Sequence, residues 1–182
     1  CMARIQTDAV QLSLDLLVRE PDIKGFFRSF VRTVVEECES RACGVWLLSD
    51  DGTRCDKWMA VVDGQFYGPD GDEWAELALP REAMAKHLTE YRDGWRTSVE
   101  YRGDDPRLPE VVRAFNIRNG IASVHVAPLA LPTKNLGWIA LASAGCSECE
   151  TQWRGAVLDA TAKQVTLALH QHRLAEQSRL EA

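Results

Sequence analysis

Apolar positions recur at spacings of three and four at both ends of the chain, and in alternating or short unbroken runs through its middle. Between Ala9 and Arg19, Val10, Leu14, Leu17 and Val18 form one stripe, broadened by Leu12 and Leu16, and Pro21 ends the helix that this predicts. Asp22 is placed to cap a second helix, whose face of Phe26, Phe27, Phe30, Val31, Val34 and Val35 runs to about Cys38. The period then changes. Ala42 to Ser49 is a short apolar run closed by Asp50-Asp51-Gly52, and Lys57 to Asp63 is a second closed by Asp63-Gly64; together they predict a hairpin.

Gln65 to Asp72 is rich in Gly and Asp and reads as loop. Pro80 opens a helix to Tyr91 with Met84, Leu88 and Tyr91 on one side, and Trp95 to Tyr101 reads as a short strand. After the turn at Asp104-Asp105-Pro106, Glu110 to Phe115 makes a short helix. The stretch from Ile117 to Ser143 is the centre of the pattern. Ile121 to Val126 and Gly137 to Leu141 are two strands, with Pro128, Pro132, Lys134 and Asn135 between them, so a hairpin in the middle of a sheet is expected. From Thr151 to Ala182 there is no Pro, and no Gly after Gly155. There Leu158, Ala162, Val165, Leu169, His172 and Glu176 alternate spacings of four and three, the seam spacing of a coiled coil. That helix reaches Ala182 without a C-cap signal, so the chain is expected to continue into a further domain.

Composition narrows the partners. A chain of 182 residues, 46% apolar and 26% charged, can bury the core of one domain. The net charge of -6, with no basic cluster, opposes a nucleic-acid backbone. No apolar run approaches the roughly 18–20 residues that span a bilayer, and no signal-peptide pattern opens the chain, so a cytoplasmic location without membrane contact is expected. A domain of this size does not need disulfides, and the six cysteines are expected to be reduced.

The element order resembles the GAF domain family of small-molecule sensor modules. Val45 to Gly52 (VWLLSDDG) is similar to that family's first strand and turn, Gly120 to Leu129 (GIASVHVAPL) to its strand ending in a Pro-Leu pair, and Asn135 to Ala142 (NLGWIALA) to the strand that follows. The resemblance spans roughly Asp22 to Arg173. It implies an α+β fold with a central antiparallel sheet of five or six strands, terminal helices on one face, and pocket-forming loops and short helices on the other. It also implies a non-catalytic regulatory module that forms a homodimer through its terminal helices. Such a module passes a signal along its C-terminal helix to an output domain such as a histidine kinase or diguanylate cyclase. On this reading 1–21 is a signalling or dimerisation helix, 22–173 the sensor domain and 174–182 the start of a connector.

Trp58, Phe66, Tyr67, Trp74, Tyr91 and Trp95 fall in the segments that would wall such a pocket, and aromatic walls suit a planar or apolar ligand. The same rings can equally fill the space as core and leave a module that only dimerises. Alternation puts Ile121, Ser123 and His125 on one face of the central strand. Should that face line the pocket, Ser123 and His125 become its convergent polar groups, with Arg96, Arg102 and Arg118 available to an anion. The ligand and any cofactor are unknown at this level. His87 or His125 can serve as an axial haem ligand, though a lone core histidine more often satisfies a hydrogen bond. No Cys-His pair supports a covalent bilin, and the family's cyclic-nucleotide signature is not found between Ile117 and Asp159. Cys146-Ser147-Glu148-Cys149 admits a cysteine-based redox switch, or a metal if Cys38 and Cys43 complete it. An enzyme like those that reduce free methionine sulfoxide would want pocket cysteines, and 66–101 contains none.

Overall fold

A computed structural model describes residues 23–38, 40–53, 55–68, 98–145 and 148–181. The helix expected over 9–19, the helix expected behind Pro80, and Trp74, His87, Tyr91, Trp95, Arg96 and Cys146 lie outside them. Six strands form one antiparallel sheet: β1 (Ala42–Leu48), β2 (Cys55–Val62), β3 (Gln65–Tyr67), β4 (Val99–Arg102), β5 (Ser123–Ala130) and β6 (Asn135–Ser143), in the order β3-β2-β1-β6-β5-β4. Among the described residues three helices accompany them, α1 (Ile23–Glu37), α2 (Glu110–Arg118) and α3 (Glu148–Glu181). This is the α+β architecture expected from the sequence, with both hairpins in place.

The side-chain period of a strand divides the apolar residues between two layers. Cys43, Val45, Leu47, Met59, Val61, Ala127, Leu129, Ile139 and Leu141 face α1 and α3, which bring Phe27, Phe30, Val34, Leu158, Ala162, Val165 and Leu169 onto them. Trp46, Leu48, Trp58, Ala60, Val126, Trp138 and Ala140 face the other way, where Val112 and Phe115 of α2 join them. Burying one Leu or Phe completely contributes about 1.5–3 kcal/mol, so each layer supplies a substantial part of the stability.

Three local outcomes differ from the expectation. Gln65–Tyr67, expected to be loop, is a strand, because Asp63 and Gly64 both take positive φ (48° and 82°) and turn the chain back onto β2. β5 continues past Val126 through Pro128. There β4 no longer pairs with it, so a residue without an N–H is tolerated on that side. The stripe of Leu158, Ala162, Val165 and Leu169 is not an open coiled-coil seam: it is buried on the sheet of its own chain, because a helix lying on a sheet requires the same three-and-four spacing. The large apolar residues exposed on α3, among the described residues, are Leu167, Leu174 and Leu180. No helix among the described residues is long and apolar enough to cross a membrane.

Candidate functional site

On the face away from α1 and α3, three tryptophans stand in one row across the sheet. Trp46 of β1 is directly opposite Trp58 of β2 on one side and Trp138 of β6 on the other, and Trp138 is opposite Pro128 of β5. All three indoles are buried, and the Trp46 and Trp58 rings stack at 5.2 Å with 27° between their planes. Glycine at position 44 makes room for this. A Cβ there would lie 2.9 Å from Trp46 Cη2, so the Trp46 ring folds back along its own strand over a bare backbone. The Nε1 donor of Trp46 is buried and has no hydrogen-bond partner. Buried indole N–H groups ordinarily find an acceptor, and leaving one unmade costs about 1–3 kcal/mol.

Tyr67 of β3 and Tyr101 of β4 stand on this same face, toward opposite edges of the sheet. The Arg107 guanidinium lies 4.7 Å from the Tyr101 ring centroid and also grips Asp105, Nη2 to Oδ2 at 2.8 Å. The side-chain and backbone hydrogen bonds from Arg107 hold the Asp105 carboxyl down at about 2. That ion pair fixes the turn leading into α2, whose Asn116 donates to the Gly103 carbonyl at 2.9 Å.

The candidate residues therefore separate. Trp58 and Tyr67 belong to the indole face, whereas Phe66, Ser123 and His125 lie on the opposite face. Phe66 is opposite Val61, packs with the helix-side core and lies under Arg28, whose Cζ is 5.4 Å from the ring centroid. Ser123 is opposite Ser143 and donates to Glu100 Oε1 at 3.1 Å. His125 is opposite Leu141 and buried beneath α3, where a Cβ on Gly155 would come within 3.8 Å of its Cδ2. Ser123 and His125 thus do not converge with Trp58 and Tyr67 on one pocket. The alternation that pairs Val124 and Val126 with Ala142 and Ala140 on the indole side sends its neighbours under the helix.

Trp46 and Trp138, the residues that complete the row, were not singled out by sequence. Each sits on the same strand phase as a recognisable apolar neighbour, Leu48 or Ala140, but their alignment with Trp58 depends on a bulge that pairs Leu48 with Cys55 and skips Asp56. A separate open cleft of about 470 Å³ lies at the end of the sheet between the β1–β2 and β5–β6 turns, lined by Asp50, Asp51, Thr53, Thr133, Lys134 and Asn135 among others, and none of the candidates among the described residues lines it. Arg102 is exposed and paired with Asp104 at 3.1 Å.

Of the cysteines weighed for redox or metal chemistry, Cys38 and Cys43 are buried in the helix-side core and form no disulfide. Burial, and then the neighbouring Cys38, push the Cys43 thiol far above its ordinary range, which keeps it from forming the reactive thiolate. No group of three or more His, Cys, Asp or Glu suited to a metal ion occurs among the described residues.

No family model and no curated protein matches the sequence at a significant level. Solved structures do. The GAF domain of a phosphoenolpyruvate-protein phosphotransferase from Coxiella burnetii aligns with a TM-score of 0.60 at 12% identity, covering 97% of this chain and 96% of that one. The GAF domain of the cyanobacteriochrome TePixJ aligns at 0.57 and 14%, covering 90% and 95%. A domain assigned to a two-component sensor histidine kinase protein from Sinorhizobium meliloti aligns at 0.55 and 14%, covering 88% and 99%. At such identities the likeness is one of fold.

Proposed function

The chain has the GAF fold, and from that premise we infer that it is a sensory domain of a signalling protein, non-catalytic in itself, which takes a planar ligand over the indole row. The observation that carries this reading is the buried Trp46 Nε1 donor, unpaired within a floor of stacked aromatic rings. A planar molecule with one hydrogen-bond acceptor, admitted against these buried rings, would satisfy that donor. The solved neighbours from a sensor histidine kinase protein and a cyanobacteriochrome support a sensory role for the same fold. Native mass spectrometry and an absorbance scan of the purified protein test it. A non-covalent adduct that is retained by the wild type and lost in Trp46→Phe is expected. A bare polypeptide mass, with absorbance confined to the protein bands, leaves the indoles as core and overturns the ligand.

Dimerisation and relay belong to the same reading. The sheet-facing stripe of α3 is occupied, so the homodimer is assigned to the outer face, where Leu167 and Leu174 stand seven residues apart, half or more exposed. A signal then reaches an output domain such as a histidine kinase as a change in the relative rotation of two paired α3 helices. Replacing Leu167 and Leu174 together by Glu is expected to weaken self-association at least tenfold in analytical ultracentrifugation while leaving the thermal midpoint of the dilute protein unchanged. Self-association of undiminished strength places the interface elsewhere.

A further inference from the structure

One positive charge in the helix-covered layer makes no ion pair among the described residues. Arg154 stands on α3 one turn before Leu158, on the stripe that Thr161, Ala162 and Val165 continue, and it is only 8% exposed. Its Nη2 donates to the Cys38 carbonyl oxygen at 3.3 Å, whereas Nε and Nη1 are closed off from solvent and have no hydrogen-bond partner. The carbonyl that it touches also accepts from Ser40 Oγ at 3.3 Å, and Ser40 Oγ lies 3.3 Å from Ser143 Oγ. The guanidinium and the Ser40 hydroxyl therefore share one carbonyl oxygen, and the Ser143 hydroxyl stands next to that of Ser40, where the end of α1, the approach to β1 and the end of β6 meet.

A guanidinium cannot escape the cost of burial by losing its proton, as a lysine or histidine would. Leu158, Ala162 and Val165 on the same stripe are residues that fill such a place without any cost of that kind. We propose that Arg154, with the hydroxyls of Ser40 and Ser143, is a binding site for a small oxyanion of the carboxylate or phosphate class. Two N–H groups and two rotatable hydroxyls supply donors to such an anion, and the Arg154 charge neutralises it. Ser40, half-buried beside the exposed Arg41, is the side from which it enters. This site is on the opposite face of the sheet from the indole row, so it stands whether or not a planar ligand binds there.

Thermal unfolding of the intact protein tests the site, with inorganic phosphate or acetate added at constant ionic strength against chloride. Wild type is expected to gain about 5 °C or more in midpoint when the binding anion exceeds its Kd a hundredfold. Arg154→Met should show no gain, and Ser40→Ala should need at least ten times more anion for the same gain. A response to phosphate alone assigns the phosphate class, and a response to acetate alone the carboxylate class. Equal midpoints in both anions and chloride for wild type, or the same gain in wild type and Arg154→Met, overturn the proposal. Should Arg154→Met fail to fold, titration calorimetry of wild type and Ser40→Ala decides: saturable heat weakened by the serine change supports the site, and no saturable heat with either anion overturns it.

Discussion

Gly137→Ala is expected to destabilise the domain by about 4 kcal/mol or more, read as a lower urea midpoint. Gly137 opens the apolar core of β6, opposite Leu47 of β1, and adopts φ of 151°, a region that L side chains rarely enter. A Cβ at this position would come within 2.0 Å of the Trp46 carbonyl oxygen and 3.1 Å of Leu47 Cα, both backbone atoms of the neighbouring strand. Neither can retreat without breaking the ladder between the two middle strands. The strain of the conformation and the overlap therefore add, against a total stability of about 5–15 kcal/mol for a domain. Gly52→Ala is the control. It too has positive φ, at 73°, but nothing lies within 4 Å of its Cβ, so only the conformational cost of about 1–2 kcal/mol is expected. Equal losses for the two substitutions would show that close approach of β6 to β1 is not what requires a glycine at 137.

The same glycine shows why part of the fold was legible in the sequence. Asn135-Leu136-Gly137 followed by an apolar run reads as a strand with a tight start, and Asn135 does cap it, accepting from the Gly137 N–H at 2.9 Å. The turn chemistry at Asp50-Asp51-Gly52 and the apolar faces of α1 and α3 are local signals of the same kind, and each produced its element. What local signals do not carry is the side of the sheet on which a residue ends. Ser123 and His125 alternate with Val124 and Val126 whichever way the strand is turned; only the helices lying over Ala127, Leu129 and Leu141 decide which set goes beneath them. The α3 stripe failed for a related reason. Leu158 to Leu169 satisfies a sheet as well as it satisfies a second helix, and spacing alone cannot distinguish the two. The indole row needed both strand pairings and the bulge at β2, three long-range facts that no single segment contains.

Trp138→Ala is the second large effect, and it bears on how the indole face is built. Trp138 is fully buried in a strand flanked on both sides by others, between Trp46 of β1 and Pro128 of β5. Truncating it removes an entire indole from a row whose neighbours are held by the sheet backbone and cannot collapse into the space, so a loss of about 3–5 kcal/mol is expected. Trp46→Phe should behave differently although it lies on the adjacent strand. The smaller ring leaves a small void, while the change also deletes a buried donor that has no partner, and the two effects oppose each other, giving a net change within about 1 kcal/mol. Urea unfolding of the two variants separates the roles of the residues: Trp138 as the fixed centre of the floor, Trp46 as the ring whose polar atom is held in reserve. If Trp138→Ala cost no more than Trp46→Phe, the floor would be loosely packed. The buried N–H of Trp46 would then have room for a water, and the argument for a ligand acceptor above it would lose its basis.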